Sequence, residues 1–259
     1  MKLGIKNKKA LVTGGGRGIG RSIAEALAKE GARVAIVART KADLENSLEA
    51  MGGSKCGHFG LAVDLMDNGS VDHLIQSSQK VGFNEFDIVV HNVGGTLGIN
   101  DPFCSISDWR NLYRFNFEIA VEINRLLVPK MQRNNWGRVV HISSISSMEN
   151  HGPVTYCSMK AALTAYTRSI GGVVAPDGVV ISAVLPGAVF TEGGYWDDTC
   201  KNRPDHVKKY LTERQRIGRF GTTNEIADYV TFLCSEKASF CTGSIVPIDG
   251  GQGRGYFGQ

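Results

Sequence analysis

The chain has 259 residues, of which 42% are hydrophobic, and its 29 basic and 25 acidic residues give a formal net charge of +4 at pH 7. This length and apolar content suffice for one large domain with a substantial core. The small basic excess contains no long run of like charge and no apolar stretch reaches membrane-spanning length, so we expect neither a nucleic-acid partner nor a membrane span. The six cysteines lie far apart without metal-ligand spacing, which predicts free thiols, a cytoplasmic location and no metal site.

Short β-branched runs alternate along the chain with longer segments of helical spacing. We predict strands at Lys9–Thr13, Arg33–Val37, Gly60–Val63, Phe86–His91, Arg138–Ser143, Val179–Leu185 and Ser244–Ile248. The predicted helices are Ile19–Glu30, Lys41–Met51, Ser70–Val81, Trp109–Arg133, Val154–Val174 and Asn224–Leu233, the last with a capping box of Thr222 and Glu225. This alternation predicts an α/β fold, a doubly wound parallel sheet of about seven strands with helices on both faces.

We predict a single domain over residues 1–259, because no linker divides the chain. The stretch Ala188–Arg219 has little apolar periodicity and many glycine, charged and aromatic residues. It is too long for an ordinary connection, so we predict a mobile lid over the substrate at about residues 188–219.

A glycine-rich turn, Thr13–Gly20, joins the first strand to the first helix. Glycine permits a sharp turn and lets phosphate oxygens approach the backbone, and the free N–H groups of a helix N-terminus attract an anion. A glycine pattern alone is weak evidence, but its place between strand and helix predicts a dinucleotide site. The residues that would bind the cofactor here are Gly14, Gly16, Gly18, Ile19 and Gly20.

The end of the second strand predicts which dinucleotide binds. An NAD site places Asp or Glu about 20 residues beyond the glycines, whereas the chain reads Val37-Ala38-Arg39-Thr40 at this point. Arg39 could pair with a 2′-phosphate, with Arg17 facing it from the glycine turn. Either arginine alone could be a solvated surface charge, but the two together predict NADP(H), bound by Arg17, Arg39 and Thr40.

Tyr156 and Lys160 are four residues apart and would share one face of a helix. The pKa of a free tyrosine is about 10, and a neighbouring ammonium lowers it, which would suit Tyr156 to proton transfer. This spacing alone is common in surface helices. Upstream, a strand ends in Ser143 and Ser144, and one of these hydroxyls could hydrogen-bond a carbonyl oxygen.

Together these motifs resemble the short-chain dehydrogenase/reductase family from about Lys8 to Gly251, and the general similarity is to 3-oxoacyl-carrier-protein reductases. The matching elements are Thr13–Gly20, Asp64-Leu65, His91–Gly95, Asn116, Ser144, Tyr156–Lys160, Pro186-Gly187 with Thr191, Gly218–Gly221, Thr242-Gly243 and Asp249–Gly251. The resemblance implies a Rossmann-type fold and an NADP(H)-dependent oxidoreductase that interconverts a carbonyl and an alcohol by hydride transfer. One alternative is a 3-oxoacyl-(acyl-carrier-protein) reductase. Another is a non-catalytic nucleotide-binding regulatory protein, against which the presence of Ser144, Tyr156 and Lys160 argues.

The resemblance also implies roles for individual residues. Asn116 would hold a water in a proton relay with Lys160, Ser144 would position the carbonyl, and Tyr156 would transfer the proton. Further cofactor-binding residues would be Asp64, Leu65, Asn92, Gly94, Tyr156, Lys160, Pro186, Gly187, Val189 and Thr191.

The chain departs from the family pattern in two places near the site. His91 replaces the usual Asn, and we interpret it as a strand-end residue without a catalytic role. The spacing from Ser144 to Tyr156 is one residue shorter than in many relatives, which leaves Ser143 as a second choice for the carbonyl donor.

Two residues bear on the choice of substrate. Carrier-protein reductases tend to have basic residues where this chain has Asn135 and Asp177, which would weaken docking of an acidic carrier. We therefore favour a small or medium polar ketone or aldehyde. Its pocket would be shaped by Ser144, Ile145, His151, Tyr195 and Trp196.

The resemblance further implies a homotetramer, or at least a dimer. One contact would pair helices Trp109–Arg133 and Val154–Val174 with their symmetry mates, and a second would use the last helix and strand. These two helices carry apolar residues beyond what one sheet face needs, namely Ile119, Ile123, Leu126, Leu127, Leu163 and Ile170. The tail Gly251–Gln259, with Tyr256 and Phe257, could reach a neighbouring subunit.

Overall fold

The computed structural model describes residues 1–150 and 152–254. Within them one seven-stranded sheet contains β1 (Lys9–Thr13), β2 (Arg33–Ala38), β3 (Phe59–Ala62), β4 (Ile88–His91), β5 (Gly137–Ile142), β6 (Val179–Pro186) and β7 (Ile245–Ile248). The strands are parallel and lie in the order β3-β2-β1-β4-β5-β6-β7. The predicted fold class is confirmed.

Helices cover both faces of this sheet. They are α1 (Gly18–Lys29), α2 (Lys41–Ala50), α3 (Ser70–Lys80), α4 (Ile106–Tyr113), α5 (Ile119–Arg133), α6 (Val154–Val174), α7 (Tyr195–Asn202), α8 (Pro204–Arg214) and α9 (Thr223–Leu233). The apolar side chains of α1 and α9 pack in one core layer, and those of α3 and α5 pack in the layer on the opposite face. Among the described residues, no helix is long and apolar enough to span a membrane.

The strand order reverses between β1 and β4. The connections from these two strands leave in opposite directions, so a crevice opens beyond their carboxyl ends. The sequence segments singled out above, the glycine turn after β1 and Asn92–Gly94 after β4, both lie at this crevice.

The predicted helix Trp109–Arg133 is interrupted in the structure. Helix α4 ends at Tyr113, the segment Arg114–Glu118 is a π-helix, and α5 follows. Asn116 lies within the π-helical turn with its side chain buried, and its Nδ2 donates to Leu112 O at 3.1 Å. A π-helical turn is rare and often lies at a functional site, and hydrophobic periodicity carries no signal for it.

The lid region, residues 188–219, contains α7 and α8, which its weak periodicity did not predict. Both helices are short and mostly polar, and no residue of α8 is fully buried. Aromatic rings hold the region together, since Trp196 lies 4.4 Å from Tyr210 and 4.8 Å from Phe220 between ring centroids. Opening and closing of this region stays a prediction.

The apolar residues expected at a subunit contact are largely used within the protomer. Ile119, Ile123, Leu127 and Leu163 are buried, and Leu126 and Ile170 pack partly against the core. Helices α5 and α6 use these apolar residues to pack on the sheet within one protomer, which explains why there are so many of them. The exposed large apolar side chains of this part of the chain are instead Ile106 and Tyr113 on α4 and Val154 and Val173 on α6.

Two adjacent glycines near the end of α6 differ in their surroundings. A Cβ on Gly171 would lie 2.8 Å from Gly243 N and 3.2 Å from Ile181 O, whereas a Cβ on Gly172 would meet no atom within 4 Å. The contact at Gly171 brings α6 directly against the chain that precedes β7.

We predict opposite effects of alanine at these two positions. Gly171→Ala should lower the free energy of unfolding by about 1–3 kcal/mol through overpacking. Gly172→Ala should raise it by about 0.5–1 kcal/mol, because alanine has the better helix propensity. Urea denaturation of both variants measures the difference, and equal effects would contradict the close approach of α6 to Gly243.

Candidate active site

The turn after β1 is folded tightly enough that several positions admit only glycine. Gly14 has φ 66°, and its N–H donates to Val37 O at 2.8 Å. A Cβ on Gly20 would lie 2.2 Å from Gly14 O, so Gly20 lets α1 pack directly on the turn. Arg17 precedes α1 and makes no side-chain capping bond among the described residues. The first N–H groups of α1 therefore face the crevice, where a phosphate could accept from them.

Arg17 and Arg39 both line the crevice and both are exposed. Arg39 Nη1 lies 3.9 Å from Asp64 Oδ2, and Asp64 Oδ1 accepts a hydrogen bond from Met66 N at 3.0 Å. Asp43, in the first turn of α2, also lines this end of the cavity. The sequence prediction used only the end of β2 and missed the Asp43 carboxylate. Asp43 lies at the cavity because α2 packs closely on Gly16.

Tyr156 and Lys160 lie one turn apart on α6. Lys160 is buried, its Nζ donates to Ile142 O at 2.9 Å, and it lies 5.7 Å from the centroid of the Tyr156 ring. Burial lowers the pKa of Lys160 to about 8.

The pKa of Tyr156 shifts in the direction opposite to the expected one. Burial raises this pKa, and a hydrogen bond with Ser144 opposes the rise. The Lys160 ammonium donates to Ile142 O on β5. In this arrangement the phenol is held protonated at neutral pH.

Ser143 and Ser144 project to different sides of the chain, as expected for consecutive extended residues. Ser143 is buried, and its hydroxyl donates to Lys160 O at 3.2 Å and lies 3.1 Å from Thr164 Oγ1. Ser144 Oγ accepts from Ser146 N at 3.1 Å and hydrogen-bonds Tyr156. The geometry therefore pairs Ser144 with Tyr156 and gives Ser143 a supporting contact with α6.

Asn116 fixes the chain next to Lys160. Its Oδ1 accepts from Gly95 N at 2.8 Å, and its Nδ2 donates to Gly95 O at 2.9 Å and to Leu112 O at 3.1 Å. A Cβ on Gly94 would lie 2.8 Å from both Asn116 Oδ1 and Lys160 Nζ. Both N–H groups of the amide are thus used, so a water here would bind the second lone pair of Oδ1 or the backbone of the π-helical turn.

His91 lies behind the crevice in a buried polar cluster. Its Nε2 is 2.8 Å from Asn124 Oδ1, and Asn124 Nδ2 is 3.2 Å from His141 Nε2. His91 Nδ1 has no hydrogen-bond partner among the described residues. Burial lowers the pKa of His91 to about 4, so the ring is neutral at pH 7.

Most of the predicted site residues lie around one cavity of about 640 Å³. Those that line it are Gly14, Gly16, Arg17, Gly18, Ile19, Arg39, Thr40, Asp64, Leu65, Asn92, Gly94, Ser143, Ser144, Tyr156, Lys160, Pro186, Gly187, Val189, Thr191 and Trp196. Lining residues that the sequence did not single out are Val37, Ala38, Asp43, Val63, Val93, Phe115, Ile142, Glu192 and Gly194. All of these except Asp43 lie in the same segments as predicted site residues. Asp43 lies on α2, so its place at the cavity depends on how that helix packs.

The structure does not bring every predicted residue to the cavity. Gly20 and Asn116 support its walls from behind. Ile145 is buried against Ala183 and Leu185, because the 3-10 turn after Ser144 directs it into the core. Tyr195 is largely exposed, with its ring against Trp196. His151, expected at the substrate, and the tail residues Tyr256 and Phe257 lie outside the described residues.

Comparison with known proteins agrees with this geometry. The family model described as enoyl-(acyl carrier protein) reductase matches residues 14–252. The 3-oxoacyl-(acyl-carrier-protein) reductase FabG of Aquifex aeolicus is 33% identical over 97% of this chain and 99% of its own. The L-xylulose reductase of Bos taurus is 31% identical over 97% of this chain and 98% of its own.

A solved structure extends the match to three dimensions. The L-sorbose reductase of Gluconobacter frateurii, complexed with NADPH and L-sorbose, has a TM-score of 0.90 and 30% identity, covering 99% of this chain and 100% of its own. The family model and the relatives thus span nearly the whole chain, and the chain belongs to the short-chain dehydrogenase/reductase family.

Proposed function

We propose that this protein is an NADP(H)-dependent oxidoreductase that interconverts a carbonyl and an alcohol, with Tyr156 as the general acid/base. The observation that carries the proposal is the pairing of the Ser144 and Tyr156 hydroxyls in one cavity with Lys160 and the glycine turn. These groups lie at the carboxyl ends of the strands, where ligands of open α/β sheets bind.

The residues at the crevice fit NADP(H). The glycine turn leaves no room for a Cβ at Gly20, and the open N–H groups of α1 suit a pyrophosphate. Arg17 and Arg39 offer guanidinium groups for a 2′-phosphate. The cofactor, when bound, supplies or accepts the hydride. The NADPH complex of the Gluconobacter frateurii reductase supports the same choice.

The chain's own residues supply orientation and the proton. Ser144 and Tyr156 would both hydrogen-bond the substrate oxygen, and the phenol, protonated at neutral pH, would donate its proton as negative charge develops there. Lys160, held by Ile142 O, would reach a ribose hydroxyl and return a proton to Tyr156. A water on the backbone near Asn116 would connect Lys160 to solvent.

We predict that the two paired hydroxyls are essential for turnover. Tyr156→Phe should lower kcat by roughly 100-fold or more because proton transfer is lost, and Ser144→Ala by roughly 100-fold because a donor to the oxyanion is lost. The measurement is NADPH oxidation with L-sorbose, L-xylulose and an acetoacetyl thioester as carbonyl substrates.

Ser143→Ala is the matched control for Ser144→Ala, since it deletes a neighbouring hydroxyl that also lies at the cavity but is hydrogen-bonded to Lys160 O and Thr164 of α6. It should change kcat by less than about fivefold, the scale of one hydrogen bond. If Ser143→Ala proves severe and Ser144→Ala mild, the carbonyl donor is Ser143. A Tyr156→Phe variant of near-normal rate would falsify the mechanism.

We predict that Arg39 determines the preference for NADPH over NADH. Arg39→Asp removes a charge-assisted contact worth about 1.5–3 kcal/mol, and it supplies a carboxylate that accepts from a ribose hydroxyl. NADPH should then bind roughly 10- to 100-fold more weakly, while NADH binds as well or better, as measured by isothermal titration calorimetry.

Lys41→Asp makes the same charge change two residues away, on a side chain that is 81% exposed and paired with Glu45. It should leave the ratio of the two dissociation constants almost unchanged. If both variants change the ratio of dissociation constants equally, NADPH responds only to the net charge of this region and not to a contact with Arg39. A wild-type protein that binds NADH more tightly than NADPH would also contradict the role of Arg39.

The substrate that we favour is a small or medium polar ketone or aldehyde. The L-xylulose and L-sorbose reductases among the relatives support this class. Reduction of a 3-oxoacyl group on a carrier protein is the second candidate, supported by the FabG relatives. Asp177 accepts a hydrogen bond from Gln132 at 2.6 Å and presents no positive charge to an acidic carrier. Faster turnover of the acetoacetyl thioester than of both sugars would favour the second candidate.

We further propose a cytoplasmic homotetramer. The six cysteines all lie in the described part of the chain and none is in a disulfide there, which fits a reducing compartment. Ile106, Tyr113 and Val154 expose apolar surface along α4 and the start of α6, and Phe240 is fully exposed between α9 and the edge strand β7. Two different isologous contacts would generate D2 symmetry.

Light scattering at micromolar concentration should give the mass of four chains. Ile106→Glu and Phe240→Glu, which charge one candidate contact each, should each yield dimers, because each removes one of the two contacts. If the wild-type protein is a monomer, neither proposed contact forms. If it is a dimer, only one of the two contacts forms.

A further inference from the structure

The segment Asp249–Arg254, which we name the strap, follows β7 and connects three parts of the site. Its turn is organised by the Asp249 carboxylate, which accepts from Gly251 N at 3.0 Å and from Gly253 N at 2.7 Å. Beyond this turn, Arg254 N donates to the Glu149 carboxylate, and Arg254 Nη2 donates to Glu213 O at 2.9 Å. The strap thus joins the loop after Ser144 to helix α8 of the lid region.

Gln252 is the buried residue at the centre of the strap, with 6% of its surface exposed. Its Oε1 accepts from Ala188 N at 2.8 Å, and its Nε2 donates to Tyr210 OH at 2.5 Å. One amide group therefore bonds both the backbone that follows β6 and a side chain of α8.

The two partners of Gln252 lead to opposite sides of the cavity. Ala188 lies between Gly187 and Val189, which line it. The ring of Tyr210 packs 4.4 Å from that of Trp196, and Trp196 lines the cavity from the lid side. Gly187 is adapted to this contact, because a Cβ there would lie 2.7 Å from Gln252 Oε1.

We propose that Gln252 is a positioning residue that couples the lid helices to the cofactor-facing loop at Ala188. It sets where Trp196 stands relative to Ser144 and Tyr156, and so sets the fit of the substrate. A bond to only one of these partners would fix one side of the cavity. Because one amide group bonds both Ala188 and Tyr210, it fixes the distance between the two sides.

The chemistry of the amide explains why an apolar side chain of similar length would not serve. Ala188 is buried and Tyr210 is half-buried. Ala188 N therefore needs an acceptor and the Tyr210 hydroxyl needs a partner, because burying either without one is costly. Burial raises the pKa of Tyr210, and its bond with Gln252 opposes that rise. The phenol therefore stays neutral and available for this contact.

A double-mutant cycle tests the coupling. Tyr210→Phe keeps the ring against Trp196 and removes one bond, and should raise KM for the best-reduced carbonyl roughly fivefold with kcat changed less than about twofold. Gln252→Met removes both bonds and should raise KM roughly tenfold and the NADPH dissociation constant severalfold, whereas Tyr210→Phe leaves NADPH binding unchanged. In the Gln252→Met background, Tyr210→Phe should have no further effect, because the bond it removes is already gone.

Hydrogen exchange provides a readout that does not need turnover. Amides of residues 195–214 should exchange roughly fivefold to tenfold faster in Gln252→Met than in the wild type. The matched control is Gln132→Met, which breaks the bond from Gln132 on α5 to Asp177 in the turn before β6, at the end of that strand opposite to the lid. It should leave exchange of residues 195–214 and both constants as they are in the wild type.

The kinetic arm rests on the proposed carbonyl reduction, whereas exchange and NADPH binding do not. A protein that reduces no carbonyl would therefore overturn the proposed function, and exchange and NADPH binding would still decide the role of Gln252. Unchanged exchange in Gln252→Met would overturn that role. So would a Tyr210→Phe effect that persists in full in the Gln252→Met background, or faster exchange without any change in KM or NADPH binding.

Discussion

The buried ammonium of Lys160 is the group on which the arrangement of the site depends. A charged amine is costly to bury unless polar atoms surround it, and here Ile142 O accepts from it at the end of β5. Ser143 and Thr164 bond the backbone of the same helical turn, and Gly94 leaves room beside Nζ. Helix α6, strand β5 and the chain after β4 are thus fixed relative to one another around this one side chain.

Burial acts in opposite directions on the two titratable groups of α6. It disfavours the charged form of each, so the pKa of Lys160 falls to about 8 while that of Tyr156 rises. At neutral pH the amine is still mostly protonated and the phenol is neutral. A neutral phenol is the form that donates a proton to a carbonyl oxygen, which suits the reductive direction of the proposed reaction.

Local sequence signals predicted the sheet, its helices and the side of the site formed by the glycine turn. Alternating strand and helix patterns and the glycine turn are short-range features, and Thr222 and Glu225 form the expected capping box. The features that escaped prediction depend on contacts between distant segments. Asn116 in the π-helical turn bonds the distant Gly95, and Asp43 reaches the cavity because α2 packs on Gly16. The upward shift of the Tyr156 pKa likewise depends on burial of the phenol by the packing of distant segments.

The two halves of the cavity differ in how they are held. The cofactor half is formed by strand ends and the start of α1, whose positions are fixed by the core layers on both faces of the sheet. The other half is bounded by the lid region, which the strap contacts from behind. Helix α8 of this region buries no residue fully, and aromatic contacts and single hydrogen bonds hold it in place. Elements with few buried apolar contacts open at low free-energy cost. Changes in their sequence could therefore alter the pocket without disturbing Ser144 at the end of β5 or Tyr156 and Lys160 on α6. If the proposed function is right, substrate specificity would then vary through the lid region and the strap while the groups proposed for the chemistry stay in place.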